Sequence, residues 1–200
     1  MVKFNSLYRV LILLLMFHMP ASASDQVIAD YVNGLLNTFL SIAKDSKASE
    51  QDKVEKGRTI LEANLDFDWM GKFVLGRYRR DMQEGDLNNF LKTYKMYLTY
   101  TYADAVKQYK GEDVVIKNVH QLSDNEYVVK TAINKAGQDP FLIDYLVRHV
   151  DGASGGASYK IFDVVTEGVS MISSQQAEFG SVIGSGSIKA LIDDLKQKIH

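Results

Sequence analysis

Val114–Val150 reads VVIKNVHQLSDNEYVVKTAINKAGQDPFLIDYLVRHV. Apolar and polar side chains alternate within it over three runs, Val114 to Gln121, Tyr127 to Asn134 and Phe141 to Val150. A two-residue period is that of a strand with one face on a core. Between the runs lie turn residues, Ser123-Asp124-Asn125 and then Lys135 to Asp139 around Gly137, and links this short favour antiparallel neighbours. A fourth run, Tyr159 to Thr166, follows a turn from Asp151 to Ser158 that carries three glycines. On the second run Tyr127, Val129, Thr131 and Ile133 oppose Lys130 and Asn134, and on the third Phe141, Ile143, Tyr145 and Val147 oppose Asp144 and Arg148. One sheet face is therefore expected to be apolar and the other wet.

Helical spacing flanks this meander on both sides. Val27, Tyr31, Leu35, Phe39 and Ile42 form one stripe between Gln26 and Lys44. Ser49 with Asp52 three positions on reads as a capping box for a second helix bearing Val54, Ile60, Leu61 and Leu65. Asp68 is read as the cap of a short helix, Trp69 to Leu75, with Gly76 as its left-handed exit. The longest helix is expected from about Asp86 to Tyr109, with an aromatic-rich stripe facing the sheet and Gly111 ending it. Val169 to Ile183 and Ser187 to Ile199 return to helical spacing after the strands. Helices and an antiparallel sheet of four or slightly more strands, the helices on one face, make the fold α+β. No repeat or long linker divides the chain into domains.

Met1 to Ala23 has the form of an export signal: Lys3 and Arg9, an apolar stretch from Val10 to Phe17, then Ala21-Ser22-Ala23 as a cleavage site. The apolar stretch is well short of the roughly 20 residues that span a bilayer. Cleavage near Ala23 would take formal charge from -2 to about -4, since two cations and no acid leave. The chain has 46% hydrophobic and 24% charged residues, the proportions of a globular domain. Its near-balanced charge offers no polycation for nucleic acid. With no cysteine, disulfides, thiolate metal sites and cysteine nucleophiles are excluded.

Catalytic candidates are sparse. Of four histidines, His18 leaves with the signal and His200 is terminal, which puts His120 and His149 on strands without a metal-ligand cluster. Asp66 and Asp68 read as helix-capping carboxylates, and Gly184-Ser185-Gly186-Ser187 lacks a Walker lysine. Lys72, Arg77, Arg79 and Arg80 are the one basic concentration. No metal and no cofactor are expected.

Three blocks bear a resemblance. Phe73-Val74-Leu75-Gly76-Arg77-Tyr78, the helix from Phe90 to Tyr109-Lys110-Gly111, and Phe162-Asp163-Val164-Val165-Thr166-Glu167-Gly168-Val169-Ser170-Met171-Ile172 occur in an order and spacing similar to MlaC, the toluene-tolerance family of periplasmic phospholipid carriers. The resemblance extends over the whole chain after the signal. It departs at Tyr159, where many members carry Trp, at Gly85, where the long helix usually starts with a Ser/Thr-Pro cap, and at Gly184-Ser185-Gly186, a looser final turn.

The resemblance implies a signal peptide over 1–23 and one lipid-binding domain over 24–200, with a curved sheet and its helices enclosing an apolar lipid cavity. It also implies a carrier without bond chemistry, moving phospholipid between an outer-membrane lipoprotein complex and an inner-membrane ABC transporter with an MCE domain, so maintaining outer-membrane asymmetry. Exposing about thirty methylenes to water costs roughly 25 kcal/mol at about 0.8 kcal/mol each, so the tails need an apolar enclosure while a charged head can stay wet. The expected wall is Trp69, Phe73, Tyr94, Leu98 and Tyr102 from helices, Val129, Ile143 and Tyr145 from the sheet, and Phe162, Val164, Val169 and Met171 from the last block. Lys72 and Arg77 are the candidates for headgroup or partner docking, and a monomer is expected. A hopanoid or other isoprenoid-lipid carrier is the alternative, and a cone-shaped isomerase-like enzyme using Asp163 and Tyr145 is a second.

Overall fold

A computed structural model describes residues 23–151 and 157–199. Residues 1–22, where the export signal is expected, residues 152–156 and His200 lie outside them. In chain order the elements are α1 (Ala23–Lys44), α2 (Glu50–Asn64), α3 (Phe67–Val74), a 3-10 segment (Gly76–Asp81), α4 (Glu84–Ala103) and α5 (Ala105–Gln108). Then come β1 (Asp113–Ser123), β2 (Glu126–Asn134), β3 (Phe141–Asp151), β4 (Ala157–Thr166), β5 (Val169–Ser170), α6 (Met171–Ser185) and α7 (Ile188–Gln197).

The strands form one antiparallel meander in the order β1-β2-β3-β4-β5. Val129 stands opposite Val119 on one side and Tyr145 on the other, so the alternation in the sequence becomes a continuous row across the sheet. An extra residue breaks the count in β4: Leu146 pairs with Asp163 but Val147 with Ile161, leaving Phe162 as a bulge. The bulge restores Ile161 and Val164 to the same side although they are three apart. The β4 edge is covered by the chain before α3, where Leu65 bridges Ile161 and the Asp66 amide donates to the Ile161 carbonyl at 2.9 Å. Glu167 and Gly168, both at positive φ (48° and 81°), make the tight turn into β5.

The capping box at Ser49 and Asp52 is present, with the Asp52 amide donating to Ser49 Oγ at 3.1 Å. Three other expectations are corrected. Asp66 caps α3, accepting from the Trp69 amide at 3.2 Å, while Asp68 lies in the first turn and pairs with Lys72 Nζ at 2.6 Å. Either aspartate can cap, and the hydrogen bond of Asp66 to β4 decides which one leaves the helix. The long helix is not continuous to Tyr109: it ends at Ala103, and α5 restarts after Asp104. Aspartate is a poor helix-interior residue, and the Lys107 amide bonds back to the Asp104 carbonyl at 3.0 Å in a tighter turn. Val169 and Ser170 are a strand rather than the start of α6, which Ser170 caps through the Ser173 amide at 3.1 Å.

The part of the aromatic stripe from Phe90 to Leu98 faces other helices rather than the sheet. Phe90, Tyr94 and Leu98 are fully buried where α4 packs on α2, α3 and α7. Phe90 stacks on Tyr94 with centroids 5.6 Å apart, and Phe179 of α6 stands edge-on to both. Met70, Leu191 and Leu195 complete this helical core, so the return of the chain through α6 and α7 takes the face that the sheet was expected to cover. Nor is the polar sheet face uniformly wet. Ala132 and Val128 are buried there, short side chains shaded by longer cross-strand neighbours such as Leu142 and Leu146.

Candidate functional site

The apolar face of α1 is wider than a single stripe, because Val32, Leu35, Leu36, Phe39 and Leu40 recur at both three and four residues. These side chains, with Ile60, Leu61 and Leu65 at the end of α2, form one wall of a cavity of about 700 Å³. The opposite wall is the sheet, which contributes Val114, Ile133, Phe141, Ile143, Tyr145, Ile161, Val164 and Thr166. Tyr102, Ala105 and Tyr109, on either side of the break at Asp104, close one side, and Met171 at the start of α6 another. This volume lies in the ordinary range of ligand pockets, about 300–1,000 Å³.

Asn64 on the lining is occupied by the protein, and the charged side chains are gathered at one end. The Asn64 amide donates to the Ile60 carbonyl at 2.8 Å and its oxygen accepts from Tyr31 Oη at 3.2 Å. Burial pushes the Tyr145 phenol up to about 12, so it is neutral throughout the ordinary pH range. The charged side chains on the lining, Glu112, Lys135 and Asp139, all belong to the end formed by the start of β1 and the β2–β3 hairpin. Such a surface can exclude water from apolar chains, and it presents no buried acid or base to a substrate.

Of the expected wall residues, Tyr102, Ile143, Tyr145, Val164 and Met171 come together on this cavity. Tyr94, Leu98 and Val129 are fully buried in the packed core instead, and Val169 is 61% exposed on β5. Trp69 and Phe73 stack at 5.1 Å and line a separate, more polar cleft of about 650 Å³ with Lys72, Arg79, Arg148 and Asp151. Phe162 meets Trp69 edge-on at 4.9 Å. Arg148 lies over the Trp69 ring at 5.0 Å, with Asp66 at 3.8 Å. Arg77 is exposed and lies against Tyr78, so Lys72 borders the polar cleft while Arg77 stands outside it.

Asp163 and Tyr145 are not brought together. Tyr145 pairs with Val164 and lines the cavity, whereas the buried Asp163 carboxylate accepts from the Val164 amide (2.8 Å), Ser170 Oγ (2.6 Å) and the Ile172 amide (3.2 Å). Sequence reasoning missed α1 altogether as a wall. The signal was present in the doubled apolar spacing from Val32 to Leu40, a face too wide for one packing partner.

The sequence profile of the MlaC protein family matches residues 33–197. The chain belongs to the MlaC family. A relative from Haemophilus influenzae (strain ATCC 51907 / DSM 11121 / KW20 / Rd), the intermembrane phospholipid transport system binding protein MlaC, is 27% identical over 146 residues, covering 70% of this chain and 67% of that protein. Among solved structures, a phospholipid-binding protein from Ralstonia solanacearum, determined in complex with a phospholipid, superposes with a TM-score of 0.70. It is 20% identical and the match covers 86% of this chain and 96% of that one, a likeness that establishes a shared fold. The MlaC match thus takes in every wall of the cavity, from Asn33 on α1 to the end of α7.

Proposed function

We propose that this chain is a periplasmic phospholipid carrier that encloses the acyl chains of its cargo between α1, α2 and the sheet. The observation that carries the reading is the cavity of about 700 Å³, whose charged side chains are confined to one end. Acyl chains entering it exchange one apolar environment for another, so loading from a membrane needs no chemical step, whereas crossing water unaccompanied is opposed by the roughly 25 kcal/mol of tail exposure. Among the described residues no helix is long and apolar enough to cross a membrane. The roles of the two relatives, intermembrane phospholipid transport and phospholipid binding, point the same way.

In this reading the chain acts without covalent chemistry and cycles between an outer-membrane lipoprotein complex and an inner-membrane ABC transporter with an MCE domain, which sustains outer-membrane lipid asymmetry. Direction comes from those partners. The test is native mass spectrometry of the purified full chain, followed by solvent extraction. The added mass of a diacyl phospholipid is the expected result. Protein that carries no lipid after gentle preparation and takes none up from vesicles refutes the reading, and an extracted polycyclic isoprenoid replaces the cargo with a hopanoid.

A further inference from the structure

Glu112 and Lys135 stand one step beyond the last rung of the β1–β2 ladder, where Asp113 pairs with Asn134. One rung inward, Val114 pairs with Ile133, and both side chains enter the cavity lining. The two-residue repeat of a strand returns Glu112 and Lys135 to that same face, and both indeed line the cavity, joined by Asp139 from the β2–β3 hairpin. An apolar enclosure therefore ends in an ammonium and two carboxylates.

Glu112 is held in place. Its Oε2 accepts from the Lys110 amide at 2.7 Å, and the Tyr109 hydroxyl donates to its carbonyl at 2.9 Å. Backbone amides of Lys110 and Glu112 first, and then the charges of Lys135 and Lys110, hold its carboxylate below the usual range. Lys135 is thus within electrostatic reach of Glu112, yet the two do not close into a direct ion pair. The hairpin fixes Lys135 through the Gln138 amide, which donates to the Lys135 carbonyl at 3.2 Å, with Gly137 at φ 76° between them.

We propose that this end of the cavity selects a zwitterionic phospholipid headgroup, with Lys135 facing the phosphate and Glu112 and Asp139 facing the terminal ammonium. The inference rests on the carrier reading. A glycerol headgroup would satisfy Lys135 through its phosphate but set an uncharged end against two carboxylates, whose surplus negative charge disfavours a net anionic lipid. Because the contacts lie at a solvated rim, the discrimination is modest.

The test incubates the full chain with vesicles of equal parts phosphatidylethanolamine and phosphatidylglycerol, re-isolates it and quantifies the bound lipid by mass spectrometry. Wild type should be enriched about two- to five-fold in phosphatidylethanolamine, the range that exposed charge contacts deliver. Glu112→Gln combined with Asp139→Asn should bring the ratio close to one, and Glu112→Lys should reverse it, with circular dichroism confirming that each variant is folded. Wild-type protein whose lipid mirrors the vesicles overturns the headgroup assignment and leaves the carrier reading standing, as does an enrichment that the variants leave unchanged. Protein recovered without lipid overturns the carrier reading and the headgroup assignment with it.

Discussion

The Tyr94 hydroxyl donates a 2.6 Å hydrogen bond to Gln175 Oε1, tying α4 to α6 across the buried helical layer. Burial drives the Tyr94 phenol well above its usual range, so the donor is retained through the ordinary pH range. Tyr94→Phe should cost about 1–3 kcal/mol in urea unfolding, because it leaves a buried amide oxygen short of a donor. The double variant Tyr94→Phe with Gln175→Met should be less destabilised than the sum of the single changes, since it removes both polar partners together.

Asp163 organises the start of α6 through Ser170 Oγ and the Ile172 amide, and it is only 3% exposed. Asp163→Ala should lower unfolding stability by about 2–4 kcal/mol, as it orphans those donors and opens a small void. Asp163→Asn keeps one carboxamide oxygen for the amides and should lose less. A larger loss for asparagine than for alanine would contradict this account.

Filling the cavity should separate lipid binding from folding. Val164→Trp and Leu36→Trp direct indole rings into open space, so bound lipid should fall several-fold while Tm stays level or rises. Val129→Trp is the contrast, because its site is fully buried in packed core and overpacking should cost about 1–3 kcal/mol or more. Calorimetry beside lipid extraction reads both quantities on each variant.

Tyr31 and Tyr145 are both pushed by burial from 10.0 to about 12. Below pH 10 each phenol is neutral in the folded and the unfolded chain, and the full stability is present. Above it the unfolded chain ionises first, so stability should fall as pH rises from about 10 to 12. Urea midpoints across that window, with tyrosinate absorbance followed in parallel, check the sign. Tyr145→Phe should flatten the decline.

The strands were legible because alternation records which side of a sheet a residue occupies, and Tyr127 through Ile133 and Phe141 through Val147 lie as their pattern dictates. What α4 packs against was not legible. The spacing of Phe90, Tyr94 and Leu98 marks a buried face, but a face buried by α7 and one buried by a sheet have the same period. The same degeneracy divides the candidate wall. Ile143 and Val129 share one sheet face, yet Ile143 borders the cavity and Val129 meets only protein, a distinction made by how far the helices lie from each rung. The choice between Asp66 and Asp68 depended on a hydrogen bond to a strand nearly a hundred residues away.

The bulge at Phe162 makes the count along β4 a matter of parity. Ile161 and Val164 present to one hollow, while the supernumerary ring between them turns to Trp69 and the cleft it borders. Adjacent positions on one strand thereby serve the cavity and the Trp69 ring that lines the other recess. Deleting that single residue would leave Ile161 and Val164 two apart on the same side with their partners on β3 unchanged, and would remove only the ring that reaches Trp69.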